Sequence, residues 1–184
     1  MMATTHVFAA LAAITPVAIV VPEFATPLAV GAILGGLAPD FDLLFEHRRT
    51  FHFPVAGVPV AVGGITLAGL APTAVTVAFA AFTIGAWLHA VSDAAGGGPE
   101  MDPWNDPSNR AVYDHVRGQW LRPRRWIRYD GAPEDTAIAI ALSFPVLVVF
   151  DGWISAVVAA GIVVSLGYTL VRRRLVGWLP DWLE

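Results

Sequence analysis

The chain has no cysteine and no lysine. Without thiols, disulfides, thiolate nucleophiles and sulfur-bound zinc are all excluded, so any metal must be held by His, Asp or Glu with backbone or water. Charge is scarce: 14% of the 184 residues are charged, all the basic ones are Arg, and the formal net charge is −4. That balance offers no general basic surface for nucleic acid. The first charged side chain is Glu23, so the initial apolar run lacks the basic start of a secretory signal and reads as retained structure. What fills the chain is hydrocarbon, with 56% hydrophobic residues and a positive mean hydropathy. Such a composition predicts an all-α, polytopic membrane protein of a single domain over 1–184.

Uncharged stretches cover 7–22, 24–39, 53–88, 136–150 and 152–171. A helix needs about 20 apolar residues to cross roughly 30 Å of hydrocarbon, so the third stretch divides at Ala71-Pro72 into two. Six helices result, at about 6–21, 26–38, 53–70, 72–93, 134–150 and 152–172, paired as three hairpins, some of them short enough to span only partly. Pro16 and Pro145 predict kinks. Every Arg then falls on one side, in 48–49, in 110–128 and in 172–174, whereas the opposite connections carry Glu23, Asp151 and the Ala71-Pro72 turn. The positive-inside rule makes the Arg side cytoplasmic, with both termini there, in the cell (inner) membrane. A soluble all-α protein would not need that sidedness.

Candidate ligands gather at the same side. His6 precedes the first helix, Asp40 and Asp42 follow the second, His47 and His52 flank Arg48-Arg49-Thr50-Phe51, and His89 and Asp93 close the fourth. The last two are four residues apart, which puts both on one helix face, where an imidazole and a carboxylate can share a cation. Read singly, Asp40 is a helix cap, His89 a partner for Asp93, and Arg48 and Arg49 topology determinants. Together they predict a metal site at the membrane rim. A transporter would instead carry its ionisable groups near the midplane.

The loop 94–133 holds six Arg residues among Trp104, Tyr113, Trp120, Trp126 and Tyr129, a composition suited to the headgroup layer. Residues 108–121 predict an amphipathic helix on the membrane, and Gly96-Gly97-Gly98 a hinge. Arg122, Arg124 and Arg125 suit an anionic phosphate, residues 131–135 form a helix start, and Trp178 and Trp182 read as interfacial anchors.

Thr5-His6, Gly36-Leu37-Ala38-Pro39-Asp40-Phe41-Asp42, His47-Arg48-Arg49-Thr50-Phe51-His52 and Leu88-His89-Ala90-Val91-Ser92-Asp93 resemble, in order and spacing, the inner-membrane metal-dependent hydrolases of the YdjM type. That family reads roughly T-H, L-P-D-x-D, H-R-G-x-T-H-S and H-x-x-x-D, and the likeness covers about the first hundred residues. Arg49 stands where the family often has Gly, and Phe53 where Ser follows the second His. The family is in turn similar to the zinc-dependent phospholipase C and P1 nuclease fold.

The resemblance implies one metal on an Asp of the Asp40/Asp42 pair (Asp40 preferred), His52, His89 and Asp93, and a second on His6 with Asp93 as bridge. Because His115 alone remains for a third, the expectation is one or two divalent ions, Zn first, with Mn or Fe as alternatives. Asp93 and Asp42 would be the catalytic carboxylates, Asp42 as general base or as support for a ligand His. Arg48, Arg49, Arg122 and Arg125 would contact substrate. The implied function is hydrolysis of a phosphoester in a lipid or lipid-linked substrate; the alternatives are a structural metal site without catalysis and a small transporter.

Overall fold

In the computed structural model, residues 1–178 are described, and Trp182 lies outside them. The fold is all-helical: α1 (Ala3–Val20), α2 (Ala25–Leu37), α3 (Gly57–Leu70), α4 (Ala74–Asp93), α5 (Pro133–Val149) and α6 (Gly152–Val176). A single hairpin of two-residue strands, β1 (Tyr113–Asp114) and β2 (Gln119–Trp120), interrupts the long loop. A 3₁₀ turn, Ala38–Leu44, prolongs α2. Among the described residues, four segments are long and apolar enough to cross a membrane, namely Ala3–Val20, Pro22–Leu44, Ala74–Asp93 and Gly152–Val176. The helix Gly57–Leu70 is apolar but shorter.

α1 forms the centre of the bundle and packs on α2, α4, α5 and α6. Its Phe8, Leu11 and Ile14 are buried, while the outer faces of α3 and α6 expose Leu70, Val163 and Leu170. Large side chains turned outward around helices of this length suit a surface solvated by lipid.

The α2–α4 contact fixes the depth of everything that follows. A Cβ at Gly31 would lie 2.1 Å from the Ala78 carbonyl oxygen, and one at Gly35 2.1 Å from that of Phe82. Only glycine permits this approach, the small-residue packing that drives association where burial from water cannot. Along α4 the buried stripe runs Val77, Ala81, Gly85, His89, Asp93. His89 and Asp93 are therefore the last turn of the core-facing side of that helix.

Three local expectations change. Residues 108–121 form the β1–β2 hairpin, not a helix: Asp114 Oδ1 accepts from the amides of Val116 and Arg117, and Gly118 takes φ +67 to close the turn. The triple glycine is not a free hinge, because a Cβ at Gly97 would lie 2.5 Å from the Arg128 carbonyl oxygen and the Gly97 carbonyl accepts a 2.6 Å hydrogen bond from Arg48 Nη1. α3 starts at Gly57, after a turn over 54–56 that runs into it, and the Pro54 carbonyl accepts from Trp87 Nε1 at 3.1 Å. Pro16 and Pro145 both sit inside continuous helices.

At the Arg-bearing end the loops are tied to the helices. Buried Asp135, in the first turn of α5, accepts from the Met2 amide at 2.8 Å, Thr5 Oγ1 at 2.7 Å and the Gly131 amide at 3.0 Å. This carboxylate sets the start of α1, and thereby His6. Arg172 pairs with Asp130 at 2.9 Å, and Tyr168 donates to the same carboxylate.

Candidate metal centre

Three imidazoles and two carboxylates converge where α1, the Ala38–Leu44 turn, the segment before α3 and the end of α4 meet. His6, His52, His89 and Asp93 are buried, and Asp40 is partly so. His6 Nε2 lies 3.1 Å from Asp93 Oδ1, His52 Nε2 3.2 Å from Asp93 Oδ2, and His89 Nε2 3.3 Å from Asp40 Oδ1 and 3.6 Å from Asp93 Oδ2. The rings of His6 and His89 stack at 3.6 Å between centroids and 11° between planes, which brings their Nε2 atoms to one side.

The outer nitrogens decide what the inner ones can do. His89 Nδ1 is 2.7 Å from the Gly36 carbonyl oxygen, and His52 Nδ1 is 2.8 Å from Asp42 Oδ2. Both partners can only accept, so both Nδ1 atoms donate. Ser92 gives its hydroxyl proton to the His89 carbonyl at 3.0 Å, leaving its oxygen to accept from His6 Nδ1, also at 3.0 Å. All three neutral rings therefore aim an Nε2 lone pair at the carboxylate oxygens of Asp40 and Asp93. His6 Nε2 and His89 Nε2 are buried without a hydrogen-bond partner.

The Met1 ammonium at 2.9 Å and Arg48 Nε at 3.4 Å already offset charge on Asp93, but neither partners His6 Nε2 or His89 Nε2. Lone pair facing lone pair in a buried site is repulsive unless a cation or a proton lies between. The spacing suits a cation. Four donors at 2.0–2.1 Å around a tetrahedral ion stand about 3.4 Å from one another, and the nitrogen–oxygen separations here run from 3.1 to 3.6 Å. Two overlapping sets, His6/His89/Asp93 and Asp40/His52/His89, each keep their ligand atoms within 4.8 Å. The cluster could thus hold a metal ion.

Around it stand residues that orient rather than reach in. Asp42 is fully buried and gives one oxygen to His52 and the other to His47 Nδ1 at 2.9 Å. Burial disfavours a charged His52, but the hydrogen bonds to Asp42 and Asp93 outweigh it and raise its pKa above the ordinary imidazole value. Arg48, buried and in the left-handed region at φ +60, sets its Nε 3.4 Å from Asp93 Oδ2.

The other Arg residues are engaged elsewhere. Arg49 pairs with Glu46 at 2.5 Å and covers the Tyr113 ring; Arg125 donates to the Ser108 carbonyl at 2.7 Å; exposed Arg122 lines a separate cavity beside Ala94. His115 stays outside the cluster, with Nε2 2.6 Å from the Arg49 carbonyl. A cavity of about 480 Å³ opens beside the cluster, lined by Asp40, His47, Arg48, Glu100, Asp130 and Tyr168 among others.

Sequence reasoning passed over Ser92, although its place three residues after His89 puts it within reach of that helix face. It also passed over the Gly36 carbonyl, which no side-chain pattern reveals. No protein family, curated protein or solved structure compared with the chain matches it.

Proposed function

We propose that this chain is a membrane-embedded, metal-dependent hydrolase acting on a phosphoester of a lipid or lipid-linked substrate, as the resemblance to the YdjM-type hydrolases implies. One observation carries the reading: three buried imidazoles, each with Nδ1 committed to a protein acceptor, direct Nε2 at the carboxylates of Asp40 and Asp93. His6, Asp40, His52, His89 and Asp93 would hold one or two divalent ions, Zn first by ligand type, Mn or Fe as alternatives. The bound cation would supply an activated water and neutralise charge on the phosphoryl group.

The remaining roles belong to the chain. Hydrolysis forms a bond from a water oxygen to phosphorus, breaks the ester phosphorus–oxygen bond and passes a proton to the departing alkoxide. Asp42 is a positioning residue, not the base, since both its oxygens already hold imidazoles. Asp40, whose side chain is 26% exposed and lines the cavity, is placed to take the water's proton and return it. Arg48 lines the same cavity and supplies the guanidinium for a phosphoryl oxygen; Arg49, Arg122 and Arg125 leave the substrate set. The Arg-bearing end faces the cytoplasm by the positive-inside rule.

The test is metal analysis of detergent-purified protein, wild type against His89→Ala and Asp93→Ala, with phosphodiesterase and phosphomonoesterase assays on the same monodisperse samples. Wild type should carry about one or two equivalents of metal and both variants should lose it together with hydrolysis. Negligible metal in all three would overturn the proposal. Stoichiometric metal without hydrolysis of any phosphoester tried would make the centre a staple for the helix ends.

A further inference from the structure

A second cavity, of about 730 Å³, lies on the other side of the metal ligands. Its volume is in the range of ligand sites, roughly 300–1,000 Å³, but its walls are hydrocarbon. Pro39, Phe41, Phe51, Phe53, Val60 and Trp87 supply most of them. Its two polar side chains are already satisfied: Trp87 Nε1 donates to the Pro54 carbonyl at 3.1 Å and Thr83 Oγ1 to the Ala80 carbonyl at 2.9 Å. Nothing in the groove asks for a polar ligand.

Its position links it to the metal centre. Asp40 turns to His89 while its neighbours Pro39 and Phe41 line the groove; His52 turns to Asp93 while Phe51 and Phe53 do the same. Each ligand is thus one residue away from the groove on both sides. Along α4 the groove meets Phe82, Thr83, Ala86 and Trp87, the two turns before His89. At 1.5 Å per residue it extends about 10 Å from the ligand level toward the middle of the helix. Phe41 is 65% and Val60 54% exposed, so the groove is open on the surface that the apolar helices present to lipid.

We propose that this groove holds the hydrocarbon chain of a membrane phospholipid whose phosphoester lies at the His/Asp cluster. The assignment rests on the hydrolase reading and names the part of the substrate that the cavity beside Arg48 does not take. Burial from water does not drive the chain in, because the bilayer is as apolar as the groove. The groove positions: it holds the part of the chain next to the headgroup so that the phosphoryl group meets the metal ligands, and a misplacement of about 1 Å can cost on the order of 10²-fold in rate.

The experiment uses the full chain in phosphatidylcholine vesicles with a small fraction of phosphatidic acid carrying a diazirine in one acyl chain. Illumination followed by peptide mapping reads where the chain rests, with or without turnover. Label at Phe41, Phe51 and Trp87 should exceed label on the lipid-facing α6 residues Val163 and Leu170 by about threefold or more. Val60→Trp and Ala56→Trp, which fill the groove without touching a metal ligand, should abolish that excess. The same variants should lower turnover of long-chain phosphatidic acid about tenfold while sparing a water-soluble phosphomonoester. Equal labelling of groove and α6, excess label that survives both Trp variants, or cross-links from the groove to a second copy of the chain would each overturn the assignment. Because labelling does not require hydrolysis, groove-specific label on a protein without phosphoesterase activity would keep the lipid site and remove the hydrolase.

Discussion

Asp42 shows what a single residue type could and could not reveal. In sequence it is indistinguishable from Asp40, two positions earlier. On the 3₁₀ turn Ala38–Leu44, with three residues per turn, side chains two apart point roughly 120° apart, so one enters the cluster and the other supports it. That division depends on a turn type no local pattern announces. Supporting carboxylates of this kind are worth about 10- to 100-fold in metal affinity. We expect Asp42→Asn to weaken metal binding by that factor in a competition titration with a chelating dye, whereas Asp93→Asn should remove binding.

Protons make a second check on the same residue. Its carboxylate raises the His52 pKa, and a metal must displace the Nε2 proton, so affinity should fall as pH drops through that raised value. With Asp42→Asn the His52 pKa should drop toward or below its ordinary value, and the acid-induced loss should move to lower pH. A titration of metal affinity against pH that leaves the midpoint in place would show that Asp42 does not set the His52 proton.

At the scale of elements, the apolar runs were legible because lipid-facing and core-facing residues are both hydrophobic, and charge alone marks the ends. The expected breaks near Ala71-Pro72 and Asp151 fall between α3 and α4 and between α5 and α6. The β1–β2 hairpin was not legible, since its strands are two residues each and are held by Asp114 and by the amide of Tyr113 donating to the Arg48 carbonyl at 3.0 Å. Helix faces were equally hidden: where both sides are apolar, periodicity says little about which one packs.

Glycine carries that information instead. Gly35→Ala would drive a methyl group into the Phe82 backbone, forcing α2 from α4 and pulling the Gly36 carbonyl from His89 Nδ1. The expected cost is about 1–3 kcal/mol, read as a lower thermal midpoint in detergent together with lost metal. Gly63→Ala on α3 meets nothing within 4 Å and should instead be neutral or stabilise by up to about 1 kcal/mol. Equal effects of the two would mean that close α2–α4 packing does not set the site.

For the molecule as a whole, the same end of the bundle carries the Arg-rich segments and the His/Asp cluster. Arg48 reaches Gly97, Tyr113 reaches Arg48, and Arg172 reaches Asp130 and Met101, so two loops and the end of α6, distant in sequence, meet at this end. Their common side was readable from charge, but their mutual contacts required the fold. The positive-inside rule would anchor that end in the cytoplasm, an expectation about which pool of water the cluster meets.

The cysteine-free sequence makes this directly measurable. Single cysteines at Asp106 and Asn109, in the Arg-rich loop, should resist a membrane-impermeant maleimide in intact cells and react once the membrane is permeabilised. Cysteines at Glu23 or Asp151, both exposed on the opposite connections, should react in intact cells. The reverse pattern would place the His/Asp cluster outside the cytoplasm. In that case eleven Arg residues would have crossed the membrane against the bias that normally orients such loops, and the proposed lipid substrate would have to come from the outer leaflet.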